Sequence, residues 1–302
     1  MRGRSNCAAL PVRLTRRTLP ETLTSPWNAI ARSWSTFQTT RSPPKWQSGL
    51  RRHLRPMPHA EVPLPDSSPV TVPVVPVVAP ALRPSEYTAA LIQALRSDSG
   101  RVAGARVLEI GCGSGVVLAA LAAMGAASVC GVDIESNAVA VSTRLLDDLG
   151  YGAVSELHCG DMWQPVAGRR FDMIVANLPH FPMQPVEIGG RLPTWSAGGA
   201  DGRSLLDPFL KGLADHLAPG GRAVITHNAF DDLGRSRDLA AAVGLPLRVA
   251  LTTLVYISPE KLVQMTVEVL RAETGRTIHR YGPYTFGELQ IVEIGPAVEG
   301  AD

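Results

Sequence analysis

Three glycines at alternate positions, Gly111, Gly113 and Gly115, follow the apolar run Val107-Leu108-Glu109-Ile110 and precede the apolar stretch Val116–Met124. A strand, a tight turn and a helix start in that order let backbone approach a bound ligand closely. Two acids sit at the ends of the next apolar runs: Asp133 closes Gly131-Val132-Asp133, and Asp161 follows Val154–Cys159. A carboxylate about 20 residues past the glycine turn suits the two hydroxyls of a ribose. Asp161, with the neighbouring Met162 backbone, is placed to meet an adenine, whose exocyclic amine a carboxylate can accept from. After a fourth run comes Asn177-Leu178-Pro179-His180. There a carboxamide oxygen and a following backbone carbonyl can accept both hydrogens of a planar nitrogen and leave its lone pair free. Nucleotide dehydrogenases also carry a glycine-rich first turn, but they need a Gly or Ala three positions after the second glycine. Val116 stands there instead.

The elements that must carry these residues are legible from residue 85 onward. Ser85 can cap a helix through Leu95, with Ala89, Leu91, Ile92 and Leu95 on one apolar face. Strands are expected at 105–110, 128–133, 154–159, 171–176, 222–227, 247–257 and 289–294, with helices at 116–124, 137–149, 205–217 and near 231–243. Strands alternating with helices of this length predict an α/β, doubly wound, mostly parallel seven-stranded sheet whose last strand is antiparallel. Ligands of such sheets bind beyond the carboxyl ends of the strands, where the strand order reverses, so all four motifs fall at one crevice. After Ser258, Pro259 favours a helix to about Thr274, while the alternation Val263, Met265, Val267, Val269 would suit a strand.

Charge is distributed unevenly. Residues 1–60 hold eleven Arg and Lys and one acid, Glu21; the remaining 242 residues hold 18 basic and 26 acidic side chains, a net of −8. An acidic body argues against a broad nucleic-acid surface, which needs clustered Lys and Arg. Residues 1–57 read as a disordered basic extension, with a miscalled start before Met57, an RNA-binding arm and an organellar targeting segment as the alternatives. Residues 58–84 read as a Pro/Val-rich lead-in, with a short edge strand at Val74–Val78, and 85–298 as the catalytic domain. Cys7, Cys112, Cys130 and Cys159 have neither CxxC nor metal spacing, so they read as thiols of a reducing, cytoplasmic setting. No apolar run reaches the roughly 18 residues that span a bilayer.

Together the motifs resemble the class I S-adenosylmethionine-dependent methyltransferases, in which Gly115 completes the glycine spacing. Asn177-Leu178-Pro179-His180 is similar to the (Asn/Asp)-Pro-Pro-(Tyr/Phe) motif of enzymes that methylate planar nitrogens. Arg83-Pro84-Ser85-Glu86-Tyr87-Thr88, Glu109–Val117 and Ala197-Gly198-Gly199-Ala200-Asp201-Gly202-Arg203 resemble HemK-type glutamine methyltransferases, over about residues 80–230. The resemblance implies S-adenosyl-L-methionine held by Thr88, Glu109 (at its ammonium), Gly111, Gly113, Gly115, Asp133, Asp161, Met162 and Asn177. It implies Asn177, Pro179 and His180 as the acceptor-site residues and a protein acceptor, a translation release factor in that family. Leu178 and His180 depart from the motif: Leu178 keeps a carbonyl, while His180 can stack or protonate, or leave Phe181 as the aromatic. A small-molecule or peptide N- or O-methyltransferase, or a catalytically idle cofactor-binding subunit, therefore stays open. Tyr281, Tyr284 and Phe286 can line an acceptor pocket or pack an edge, and His227 reads as a structural histidine.

Overall fold

The computed structural model describes residues 83–184 and 196–296. The basic extension, most of the Pro/Val-rich lead-in and its Val74–Val78 strand lie outside the described residues. Helix α1 spans Glu86–Ser97. Its start is set locally: Ser85 is extended, and its N–H donates to Thr88 Oγ1 at 3.2 Å, one arm of a capping box. Tyr87, Thr88, Leu91 and Leu95 share its buried face.

Four parallel strands follow: β1 (Arg106–Ile110), β2 (Ser128–Asp133), β3 (Ser155–Cys159) and β4 (Phe171–Ala176). Between them lie α2 (Val116–Ala123) and α3 (Ser136–Asp148). Beyond β4 come α4 (Leu206–His216), β5 (Leu217–Asn228), α5 (Leu233–Ala242) and β6 (Leu247–Ile257). The sheet runs β3-β2-β1-β4-β5-β8-β6, with β8 (Tyr284–Ile294) antiparallel to both neighbours. The seven expected strands are present, with the last one antiparallel as expected. An eighth strand, β7 (Ile278–Tyr281), adds a hairpin onto β8 through Gly282, whose φ of +63° favours glycine. The sequence pattern missed β7, since its four residues alternate too briefly to show a period.

Register brings the motifs level: Ile110 lies beside Val132 of β2 and Ala176 of β4, so the glycine turn, Asp133 and Asn177 leave the sheet at one height. The strand order reverses between β1 and β4, which fixes the crevice. One core packs α4 and α5 on one sheet face (Phe209, Leu210, Leu213, Ala240 against Leu108, Ile174 and Ile225). A second packs α1, α2 and α3 on the other (Leu91, Leu118, Leu146 against Val107, Val175 and Val224). A third, smaller core of Tyr87, Phe181, Met183, Phe230, Val255 and Ile257 lies beneath the acceptor motif.

The segment after Ser258 is helical, in two pieces, α6 (Pro259–Gln264) and α7 (Val267–Glu273). Met265 and Thr266 between them are extended, because Thr266 is committed elsewhere: its N–H donates to Pro182 O at 2.7 Å and its hydroxyl to Ala200 O at 2.7 Å. The break ties this segment to Pro182, just past the acceptor motif, and to the glycine segment at Ala200.

Candidate active site

A cavity opens at the switch point, lined among others by Thr88, Glu109, Gly111, Gly113, Asn177 and His180. The glycine loop is built for close approach. Gly111, Gly113 and Gly115 have φ of +74°, +52° and +75°, a region that side chains with a Cβ rarely adopt. Gly115 has a second reason to be glycine, because a Cβ there would lie 2.9 Å from Ser142 of α3. Its duty is to seat α2 against α3, and it lies outside the cavity lining. Glu109 is buried, and its Oε2 has no hydrogen-bond partner. Burial first, and then the Asp133 charge, push its carboxyl well above the usual carboxylate range. An orphaned, electron-rich oxygen beside a glycine turn fits an ammonium group.

Asp133 stands at the end of β2, and its carboxylate closes the loop: Oδ2 accepts from Gly113 N–H at 2.9 Å and Oδ1 from Glu135 N–H at 3.0 Å. Each oxygen keeps a lone pair for a further donor. Gly160 N–H donates to Asp133 O at 2.9 Å, holding the tip of β3 beside that of β2. Asp161 is exposed, and Met162 adopts φ +42° and packs in part on the α4/α5 core. Asp133, Asp161, Met162 and the half-buried Pro179 lie outside the cavity lining.

On the acceptor side, Asn177 leaves β4, and its Oδ1 accepts from the Thr226 hydroxyl at 2.8 Å. Leu178 lies against the glycine loop, 3.4 Å from where a Gly111 Cβ would sit. His180 is buried, edge-on to the Tyr87 ring at 5.7 Å. Its Nδ1 is 3.5 Å from Asp231 Oδ2. Burial, with repulsion from His227 and Lys261, pushes its imidazole down to about 3. Buried Asp231 shifts the other way, its carboxyl raised chiefly by desolvation. His180 is therefore a neutral ring, and the cation that the sequence left open is absent from the site. Phe181 packs into the small core, tilted against Tyr87 and Phe230, with the Lys261 ammonium 4.3 Å above its ring.

Several supporting residues had no role in the acceptor site assigned from the sequence. Tyr87 OH donates to Asn228 Oδ1 at 2.7 Å, and Asn228 Nδ2 reaches His180 O at 3.5 Å. The glycine segment 198–202 wraps the acceptor motif: a Cβ on Gly198 would meet His180 Cα at 2.7 Å, and one on Gly202 would meet His180 O at 2.6 Å. Buried Arg203 anchors that segment through Asp207, the carbonyls of Asp231 and Asp232, and Ser236. His227 is structural, bonded to Asn228 O and Ser236 Oγ, with its imidazole pushed down to about 4 mainly by burial. Tyr281 and Tyr284 are exposed on the β7–β8 hairpin, and with Phe286 they lie outside the cavity lining; the neighbouring Tyr256 reaches it.

Residues 107–188 match a family described as a methyltransferase domain. A Methanocaldococcus jannaschii protein, provisionally named a protein N5-glutamine methyltransferase, is 33% identical over 153 residues, covering 46% of this chain and 75% of that protein. Methyltransferase HEMK2 of Mus musculus is 31% identical over 154 residues, covering 46% of this chain and 67% of its own. Ribosomal RNA small subunit methyltransferase C of Chromohalobacter salexigens is 31% identical over 143 residues, covering 47% and 37%. Of other curated relatives, a ribosomal protein uL3 glutamine methyltransferase and several release factor glutamine methyltransferases, the chain spans between 42% and 61% of the length. The fold is that of a class I methyltransferase. Within that class, the chain belongs to the HemK-type glutamine methyltransferase family.

Proposed function

We propose that this protein transfers a methyl group from S-adenosyl-L-methionine to a planar nitrogen, the side-chain amide of a protein glutamine. One observation carries the reading: a buried carboxyl with an orphaned oxygen, Glu109, and an oriented carboxamide, Asn177, line the same cavity as the glycine loop. Glu109 would hold the donor's ammonium, and the backbone of Gly111 and Gly113 would lie under it. Asp133 would take the ribose hydroxyls with its free lone pairs, and Asp161 with Met162 would flank the adenine. When bound, the donor supplies a methyl group already activated on a positively charged sulfur.

The chain's own task is positioning. Asn177 Oδ1 and the Leu178 carbonyl would accept the two amide hydrogens of the glutamine, leaving the nitrogen lone pair free on the side of the glycine loop. Loss of the motif's first proline does not remove that carbonyl. His180, neutral and buried, would act as the aromatic wall of the loop, where a charged ring would oppose a cationic donor. Pro179 would keep the loop extended between them. Most of the relatives' names give a protein acceptor, a release factor or a ribosomal protein; one gives ribosomal RNA, which the acidic body disfavours. Among the described residues no helix is long and apolar enough to cross a membrane.

The test uses methyl-labelled S-adenosylmethionine with a recombinant release factor. The label should enter one glutamine, identified by peptide mass. Asn177→Ala should lose roughly 100-fold or more in rate while donor affinity stays within a few-fold. Label in RNA or small molecules instead, or an unimpaired Asn177→Ala, would overturn the proposal.

A further inference from the structure

The acceptor carboxamide is useful in only one orientation. The two ends of an asparagine side chain are nearly alike in size and opposite in hydrogen bonding. With Oδ1 toward an acceptor nitrogen, it takes an N–H and leaves the lone pair free. Turned over, Nδ2 would donate to that lone pair and block it. Something must choose.

Thr226 is the residue placed to do so. It lies near the end of β5, one position past Ile225, which sits beside Ala176, the last residue of β4 before Asn177. It is buried, and its hydroxyl donates to Asn177 Oδ1 at 2.8 Å. A β-branched side chain on a central strand has few open rotamers, so the strand itself fixes where Oγ1 stands, and its hydrogen is turned to Asn177 Oδ1. Oδ1 has two lone pairs; Thr226 occupies one, leaving the other for an acceptor hydrogen. Two residues on, Asn228 reaches the His180 carbonyl and is locked by Tyr87 of α1. The tip of β5 thus touches the acceptor loop at both ends.

We infer that Thr226 is a positioning residue for methyl transfer, its hydroxyl setting which end of the Asn177 carboxamide faces the acceptor nitrogen. This rests on the acceptor role proposed for Asn177. It predicts that transfer depends on a group that touches neither donor nor acceptor.

The test compares Thr226→Val, which keeps the shape and removes the hydroxyl, with Thr226→Ser, which keeps the hydroxyl. With labelled donor and a recombinant release factor, Thr226→Val should lose roughly 10- to 100-fold in kcat, with KM for the protein and donor Kd within about threefold. Thr226→Ser should recover most of the loss. Should Thr226→Val fail to fold, Thr226→Ala serves the same comparison. A second readout needs no acceptor: the side-chain 15N–H2 resonances of Asn177, assigned by their loss in Asn177→Asp, should shift in Thr226→Val and stay in Thr226→Ser. If the wild type labels no glutamine, the proposed substrate fails while the resonance measurement still decides the role of Thr226. A Thr226→Val variant with wild-type kcat, or with unmoved Asn177 resonances, overturns the inference.

Discussion

Replacing His180 by Phe asks whether the acceptor loop is held by a neutral ring. In the folded chain His180 is buried against Tyr87, and burial above all lowers its imidazole from 6.5 to about 3. The sign follows from linkage. Above about pH 7 the imidazole is neutral in both states and contributes no pH dependence. As pH falls through the unfolded value, the unfolded chain takes up a proton that the folded chain refuses, so stability drops until pH nears the folded value. Each pH unit in that window costs about 1.4 kcal/mol, which sums to about 2 kcal/mol between pH 7 and pH 5. Phe has no proton to gain, so the variant should escape this loss. Its larger ring adds a packing cost of roughly 1–3 kcal/mol that does not vary with pH. His227 and Asp231 also carry shifted values, but both proteins retain them, so their effects largely cancel in the comparison. Equilibrium urea unfolding of both proteins at pH 7, 6 and 5 measures the difference directly. The two stabilities should converge, or cross, as pH falls. Parallel curves would refute the reasoning, because they would mean that the folded chain takes up the proton as readily as the unfolded one; a wild type that gains on the variant as pH falls would refute it too, with Asp231, 3.5 Å away, holding the imidazole charged in the folded state.

Two further substitutions test the site. Gly202 has φ +78°, and a Cβ there would lie 2.6 Å from both His180 O and Asp231 Oδ1. Gly202→Ala should therefore cost roughly 2–4 kcal/mol and lower Tm by about 4 to 16 °C, whereas Gly168→Ala, with similar φ but open space, should cost roughly 1 kcal/mol; equal shifts in scanning calorimetry would remove the clash argument. Glu109→Gln should weaken S-adenosylmethionine binding roughly 10- to 100-fold, since it removes a buried carboxyl that can turn anionic against the donor's ammonium. The raised carboxyl also predicts that donor binding releases protons, and that Glu109→Gln releases fewer, read as the buffer dependence of the binding heat; identical proton release would exclude Glu109 as the ammonium partner.

Much of this was legible because the signals are local. The Gly111–Gly115 turn needs positive φ, a property written in residue type. Ser85 and Thr88 cap α1 within one turn, and the apolar runs of β1, β2 and β4 are those of strands buried on both faces. Other features were invisible for a physical reason. Nothing near residue 266 tells a reader that the helix after Ser258 breaks to donate to Pro182 and Ala200, because those partners are 84 and 66 residues away. The short strand β7 exists by pairing with β8, and the α2–α3 contact at Gly115 needs Ser142 to show itself.

By itself, then, the sequence determined the alternation of elements, the glycine turn and the types of the groups offered at the strand ends, since each depends on neighbours a few residues apart. Only the tertiary structure decided their states. His180 is neutral because the fold buries it among Tyr87, Phe181 and Asp231. Glu109 is an orphaned carboxyl because the cores close around β1. Asn177 points one way because Thr226, 49 residues on, arrives beside it. Protonation and orientation are set by what surrounds a group in space, and a chain of letters records only what precedes and follows it.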